Sequence, residues 1–321
     1  MDESIATRII VVYANDALKS RADRVAALLN APLQHIDAAK SNEGNRPQGQ
    51  SRSESSEGTN TFYLEVGATD SQLTWNTPQA GKFRISFTEG ANGYRRTRAS
   101  PRSDTLARAI GLNRQLRRAQ IADWSVLDAT AGACTDTWAM AAFGCRVLAF
   151  ERSGCLHVLQ MDALRQAISE HATRECASRV TLINADAGEW LSNLGCHSHN
   201  KNQNTKQCLK RNAEELKAEA AYLSSAPDVI YIDPMYPQRK KSAAVKKGMQ
   251  TLQRLLGPDN DSKQLLDAAL SSAARLKIKR VVVKRPAGAG RLSNSFGIEP
   301  AHIHESKNTR YDVYLYQSLK F

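Results

Sequence analysis

Short apolar, β-branched runs alternate along this chain with longer stretches whose apolar residues recur at helical spacing. From residue 125 onward the alternation is regular. Strands are predicted at Ser125–Asp128, Arg146–Phe150, Arg179–Ile183, Val229–Ile232 and Val281–Lys284. Between them the spacing predicts helices at 135–143, 156–171, 189–194, 242–256 and 261–276. Apolar strands this short, each followed by a helix, imply an α/β, doubly wound, mainly parallel sheet covered on both faces. Two further runs, 301–305 and 311–316, predict a closing hairpin.

The pattern ahead of residue 94 differs. A strand at 8–13, a helix at 16–30 and a strand at 33–36 are followed by three short alternating segments, Phe62–Val66, Ser71–Trp75 and Phe83–Phe87. They predict a small N-terminal α/β domain (1–93) in front of a larger one (94–321). Residues 40–60 contain no large apolar side chain and predict a flexible loop, because such a segment cannot bury enough surface to offset its ordering entropy. Residues 195–226 form a second polar interruption, with a short helical pattern at 213–223. Between the domains, Tyr94 and four arginines (Arg95, Arg96, Arg98, Arg102) read equally as an RNA-contacting linker and as a solvated turn. Thr105–Leu112 predicts a helix closed by Gly111.

Composition adds a charge argument. Lys and Arg number 44 against 32 Asp and Glu, a formal net charge of +12, which favours a polyanionic partner. The mean hydropathy of −0.47 agrees with polar insertions in a globular chain. Six cysteines show no C-x-x-C pair, and the four in the strand-rich middle of the chain read as reduced core or near-core thiols. Cys196, His197 and His199 read as an exposed loop, so no metal is expected. No apolar run approaches the roughly 20 residues of a membrane span, and the start lacks a leader pattern, so a cytoplasmic protein without a membrane contact is expected.

In doubly wound sheets, ligands sit outside the carboxyl ends of the strands. The first such end runs into Asp128-Ala129-Thr130-Ala131-Gly132-Ala133-Cys134-Thr135-Asp136, small residues that let a ligand approach the backbone where a helix begins. The second is Phe150-Glu151-Arg152, a carboxylate about 20 residues after the glycine turn and placed for ribose hydroxyls. The third is Asn184-Ala185-Asp186, suited to an adenine amino group. A nicotinamide dinucleotide is disfavoured, because there is no G-x-G-x-x-G and no second mononucleotide half. Four carboxylate-bearing strand ends in this order fit S-adenosylmethionine.

The fourth end is Asp233-Pro234-Met235-Tyr236-Pro237. Its two prolines force the chain out of the sheet as a rigid loop. A carboxylate and a proline carbonyl can accept the hydrogens of an exocyclic NH2, and an aromatic ring can stack on the base. Arg239, Lys240, Lys241, Lys246 and Lys247 follow, and Lys284 and Arg285 close the fifth strand, a set suited to phosphates. Amino methylation of a nucleic-acid base is the expected chemistry.

Residues 126–152, 179–187, 229–249 and 281–286 resemble the RsmJ family of 16S ribosomal RNA guanine-N2 methyltransferases. The resemblance rests on the Asp-Ala-Thr-Ala-Gly turn, Phe-Glu-Arg, Tyr-Ile-Asp-Pro-Met-Tyr-Pro with Lys-Ser-Ala-Ala-Val-Lys-Lys-Gly-Met, and Val-Val-Val-Lys-Arg-Pro. It implies a seven-stranded Rossmann-like sheet and S-adenosylmethionine contacts at Thr135, Asp136, Glu151, Arg152, Asp186, Ala187 and Asp233. It also implies guanine in 16S RNA or the small ribosomal subunit as the target. The chain departs from the family where a second glycine and then an arginine are replaced by Cys134 and Thr135, so that a side chain at Cys134 would crowd the cofactor. Asp186 stands where the family has serine. Two other functions fit the same residues: methylation of adenine N6, and a non-catalytic RNA-binding or ribosome-assembly factor on a degenerate methyltransferase fold.

Overall fold

The computed structural model describes residues 6–36, 59–75, 81–90, 104–112, 121–193, 226–234, 247–257 and 260–319. Two compact units divide the chain. One comprises Met1–Ile85, Met161–Ala163 and Pro237–Pro258; the other comprises Ser86–Gln160, Leu164–Tyr236 and Asp259–Phe321. Of the loop expected at 40–60, residues 40–58 lie outside the described residues, while Thr59 and Asn60 belong to a strand because they pair with Ala6 and Thr7. The arginine-rich linker 94–102 and the insertion expected at 195–226, except residue 226, also lie outside them. So do Met235, Tyr236 and Arg239 to Lys246.

In the first unit, β1 (Ala6–Tyr13) pairs in parallel with β2 (Leu33–His35) and β3 (Thr59–Val66), and β4 (Ser71–Trp75) adds antiparallel to β3. The helix after β1, α1 (Asp16–Leu29), ends at Asn30 in a left-handed conformation, a position asparagine tolerates. The third alternating segment is not a strand. Phe83 exchanges two 2.8 Å backbone hydrogen bonds with Leu73, and the pairing stops at that isolated bridge.

The second unit holds a seven-stranded sheet in the order β10-β11-β9-β8-β5-β6-β7. Its strands are β5 (Ser125–Asp128), β6 (Arg146–Phe150), β7 (Val180–Ile183), β8 (Val229–Ile232), β9 (Arg280–Pro286), β10 (His302–Glu305) and β11 (Thr309–Leu315). The five from β5 to β9 run parallel, and β11 and β10 add antiparallel at one edge. The central strands β5 and β8 are buried at every position, which explains their unbroken apolar character. The seven-stranded α/β architecture expected from the sequence is therefore present.

The connecting helices of this unit are α2 (Thr105–Ala109), α3 (Thr135–Phe143), α4 (Gly154–Ser169), α5 (His171–Ala177), α6 (Ala187–Asn193) and α8 (Ser262–Leu276). On one face α6 and α8 cover a core of Leu148, Phe150, Trp190, Ile230, Ile232, Leu266, Leu270, Val281 and Val283. On the other, Phe87 stacks on Trp138 at 4.5 Å between centroids. The predicted helix 156–171 is two helices, because Glu170 adopts an extended backbone (ψ 127°) between α4 and α5.

The helix predicted at 242–256 is described from Lys247 to Leu256 as α7, and it belongs to the first unit. Thr251 Oγ1 donates to the Gly81 carbonyl at 2.9 Å, and the Arg254 guanidinium lies 5.3 Å from the centre of the Trp75 ring. The chain thus leaves β8, contributes to the first unit and returns at Asp259.

Candidate active site

Four strand ends converge at the carboxyl edge of the parallel sheet, tied by backbone and side-chain hydrogen bonds. Ala129 N–H donates to the Tyr231 carbonyl at 2.9 Å and Ala131 N–H to the Phe150 carbonyl at 3.0 Å. Asp233 N–H donates to Thr130 Oγ1 at 2.6 Å, and Asn184 Nδ2 donates to the Glu151 carbonyl at 2.7 Å. Ends of β5, β6, β7 and β8 are thereby fixed relative to one another before any ligand arrives.

The turn after β5 is organised from within. Asp128 is buried and accepts from Thr137 Oγ1 at 2.6 Å and from Thr130 N–H at 3.1 Å. Burial pushes its pKa up to about 7, against the opposing effect of those two donors. Asp128, expected among the cofactor contacts, is an internal brace of the turn: it is 1 % exposed, and each of its oxygens accepts from a donor inside the protein. Gly132 adopts φ +54°, and its carbonyl accepts from Gln160 Nε2 at 2.7 Å. Cys134 is left-handed too, at φ +56°, and its side chain is fully buried. It therefore points into the protein, which removes the expected crowding of the cofactor.

Glu151 sits at the end of β6 with one oxygen accepting from Gly132 N–H (3.1 Å) and the other from Ser153 N–H (2.8 Å). Burial raises its pKa, and those two amides oppose the rise. Each oxygen keeps a lone pair for a further donor. Asp186 caps α6 by accepting from Glu189 N–H at 3.0 Å, and Arg152 Nη1 lies 3.9 Å from its other oxygen. Arg152 also pairs with Asp261. Ala187 is buried at the start of α6.

Strand register explains the last group. Asp128, Tyr231 and Val282 are paired across β5, β8 and β9, so their side chains share one face. Two residues further along lie Asp233 and Lys284. The Lys284 ammonium donates to Asp233 Oδ2 at 2.7 Å and to Asp136 Oδ2 at 2.6 Å. Tyr231, buried in the centre of the sheet, donates its hydroxyl to the same Asp136 oxygen at 2.7 Å. Asp136 is only 7 % exposed, whereas the Asp233 side chain is 35 % exposed. Burial raises Asp233 to a pKa of about 6, with Lys284 pulling it down and Asp136 pushing it up. The two carboxylates hold the Lys284 ammonium above its ordinary range, so it stays charged.

Two expected phosphate contacts are therefore corrected. Lys284 is committed to two carboxylates. Arg285 points to the opposite face of β9, is buried, and donates to the Gly290 carbonyl. Tyr231, Thr130 and Lys284 were missed as members of this cluster; the available signal was a phenol inside an otherwise apolar strand, since a buried hydroxyl needs a partner. Pro234 is buried beside Asp233, and of Lys247 the structure describes only its place at the start of α7.

The open-sheet fold, with a glycine turn and carboxylates at successive strand ends, defines a methyltransferase dependent on S-adenosylmethionine. A family model of SAM-dependent methyltransferases matches residues 51–203 and 196–316. A SAM-dependent methyltransferase from Neisseria gonorrhoeae has a similar solved structure, with a TM-score of 0.56 and 26% identity, covering 98% of this chain and 99% of that one. Ribosomal RNA small subunit methyltransferase J of Thioalkalivibrio sulfidiphilus is 36% identical over 96% of this chain and 98% of its own length. The corresponding protein of Chromobacterium violaceum is 36% identical over 80% and 85%. The chain belongs to the ribosomal RNA small subunit methyltransferase J family.

S-adenosylmethionine is the cofactor, and the residues present suit it. Glu151 offers carboxylate lone pairs to vicinal hydroxyls, and Gly132 lets the backbone come close. Asn184 Oδ1 is shielded from solvent and accepts no hydrogen bond from the described residues. No helix among the described residues is long and apolar enough to cross a membrane. Among the same residues, no group of three or more His, Cys, Asp or Glu could hold a metal ion.

Proposed function

We propose that this protein methylates the exocyclic N2 amine of a guanine in 16S ribosomal RNA of the small subunit. The observation that carries this reading is the Asp233 carboxylate at the end of β8, held by Lys284 and by the Thr130 latch beside the other three strand ends. The names of its relatives, ribosomal RNA small subunit methyltransferase J, supply the RNA.

S-adenosylmethionine supplies an electrophilic methyl group on a sulfonium. Glu151 would accept from its ribose hydroxyls, Asp186 and the Ala187 amide would hold the adenine, and Thr135 and Asp136 would hold the methionine end. The guanine N2 lone pair is delocalised into the ring, so its geometry limits the rate. Asp233 and the Pro234 carbonyl accept the two amine hydrogens, favour a pyramidal nitrogen and direct its lone pair. When the N–C bond forms and the C–S bond breaks, leaving a neutral thioether, the proton lost by N2 would pass to Asp233. Lys284 keeps Asp233 ionised until then. Tyr236, outside the described residues, supplies a ring to stack on the base, worth about 1–3 kcal/mol.

The N2 amine lies in the pairing edge, so the base must be unpaired or flipped. Arg239, Lys240, Lys241, Lys246 and Lys247 bind the flanking phosphates. Transfer of tritiated methyl groups to defined 16S fragments, with adenine-containing DNA as the rival substrate, tests the reading. Label on guanine N2 supports it; label on adenine N6 replaces it with the other amine.

A further inference from the structure

A group of two arginines and two histidines lies away from the strand ends, on the edge of the same sheet. His302 and His304 of β10 pair with Val313 and Tyr311 of β11, which pair in turn with Val282 and Lys284 of β9; Leu315 pairs with Arg280. Cross-strand partners point to the same face, so His302, His304 and Arg280 share one face of the sheet. On that face Arg280 Nη1 donates to the Ala109 carbonyl of α2 at 3.4 Å.

Helix α2 brings in the fourth nitrogen-bearing side chain, Arg108. Its end is a left-handed glycine turn: Gly111 N–H donates to the Arg108 carbonyl (3.1 Å) and Leu112 N–H to the Ala107 carbonyl (2.8 Å). Gly111 has φ +94°, and a Cβ there would come within 2.7 Å of Arg280 Nε. Glycine thus both closes α2 and leaves room for the guanidinium. Arg108, in the last turn of α2, is exposed. Arg108, His302 and Arg280 all act electrostatically on His304; together with its burial they hold its pKa below the ordinary imidazole range.

None of these four residues has a carboxylate partner among the described residues. Lys279, next in the chain, is different: it pairs with Asp228 at 2.6 Å and lies 4.4 Å from the centre of the Trp124 ring. The Arg108 and Arg280 guanidiniums are thus two positive charges without counter-charges among the described residues, which favours an anion, and the two imidazoles add N–H donors beside them. Arg280 and Lys284 are four residues apart on β9, roughly 13 Å. A nucleic-acid backbone advances about 3.4 Å per nucleotide in a helix, so one strand can reach from the clamp to this edge within a few nucleotides.

We propose that Arg108, Arg280, His302 and His304 form a phosphate-docking surface for the RNA that carries the target base. This rests on RNA being the substrate. The surface positions the RNA backbone and reads no base, so it contributes affinity and salt dependence rather than chemistry.

The test uses the full chain with the paired substitution Arg108→Glu and His302→Glu, both at exposed positions. Binding of 16S RNA is measured by fluorescence anisotropy against potassium chloride concentration, and S-adenosylmethionine binding by calorimetry. Each phosphate contact contributes about 0.7–0.9 to the slope of log affinity against log salt, so the slope should fall by about 1–2 and Kd for RNA should rise about tenfold or more. S-adenosylmethionine affinity should not change, which also reports a folded protein. Wild-type slope and Kd in the variant, with normal RNA binding by the parent, overturn this surface alone. Weakening seen with whole small subunits and not with naked 16S RNA assigns the surface to a ribosomal protein and also overturns it. Failure of the parent to bind or methylate RNA overturns the substrate reading and this proposal together.

Discussion

Replacing Lys284 by Met removes the only ammonium that joins Asp136 to Asp233 among the described residues, and with it two charge-assisted hydrogen bonds of 2.6 and 2.7 Å. Removing one partner of a fully buried ion pair costs about 3–5 kcal/mol. Here Lys284 is 25 % exposed and Asp233 35 %, and solvent screening reduces that to about 1–3 kcal/mol of stability. The larger effect falls on ionisation. Two carboxylates that shared a cation are left facing each other, with Asp128 and the Tyr231 phenol as the other titratable groups nearby. Like charges at this separation cannot both ionise easily, so one of the pair takes a proton. The Asp233 pKa, already raised to about 6, moves further up. At pH 7 a smaller fraction of the enzyme then holds the acceptor form.

Loss of one positioned group at a reacting centre costs about 10²–10³ in kcat, and a group acting through another should cost about 10–100. Methyl transfer to 16S RNA, followed from pH 5.5 to 9.5, should show the acid limb of kcat near pH 6 in the wild type. In Lys284→Met that limb should lie at least about one pH unit higher, with partial recovery at pH 9. Lys284→Arg should keep the limb near its original place. An unshifted acid limb with lowered activity would mean that Lys284 merely supports the fold.

Three other outcomes follow from the same structure. Asp128 has a pKa raised by burial from 3.8 to about 7, so the folded state holds its proton longer than the unfolded one, and stability falls as pH rises from about 4 to about 7. Asp128→Asn keeps an acceptor for Thr130 and a partner for Thr137; in urea unfolding its advantage should grow by about 2–4 kcal/mol between pH 5 and pH 8, and a pH-independent gap contradicts the assignment. Cys134→Gly relieves a left-handed side chain, worth about 1–2 kcal/mol, and removes a small buried group at similar cost. Calorimetry should find S-adenosylmethionine affinity within about twofold of wild type; a gain of tenfold would restore the crowding that the buried thiol argues against. Gly111→Ala places a methyl group 2.7 Å from Arg280 Nε at a positive φ and should lower Tm by a few degrees, about 1–2 kcal/mol; an unchanged Tm would show that the cap tolerates a side chain.

Periodicity carried most of the larger sheet. Ser125–Asp128 and Val229–Ile232 are buried on both faces, and only a central parallel strand asks for apolar residues at every position. The carboxylates were legible for a related reason: a charge that directly follows such a run must leave the sheet at its carboxyl end. What lay across the sheet was not. Lys284 and Arg285 are neighbours in sequence and face opposite sides of β9, so one joins the clamp and the other packs against Gly290. A run of basic residues gives no sign of which one meets a carboxylate.

The same limit explains α7. Its pattern fixes a helix but not the unit it joins, because contacts such as Thr251 with Gly81 span 170 positions of sequence. The split at Glu170 is local but equally hidden, since glutamate is a good helix former and only the backbone of this position departs from the helix. Phe83 shows the reverse case. Its alternation with Ile85 and Phe87 is that of a strand, and all three are buried, yet the ladder to β4 ends after one bridge.

The central claim is that Asp233 directs the N2 amine of a guanine in 16S RNA toward the methyl donor. Its most direct test incubates 16S RNA with S-adenosylmethionine and either wild-type protein or Asp233→Ala, then digests the RNA to nucleosides for mass spectrometry against chemical standards. N2-methylguanosine with the wild type, and a yield about 10²–10³-fold lower with the variant, is the predicted result. N6-methyladenosine, or undiminished N2-methylguanosine from Asp233→Ala, contradicts it.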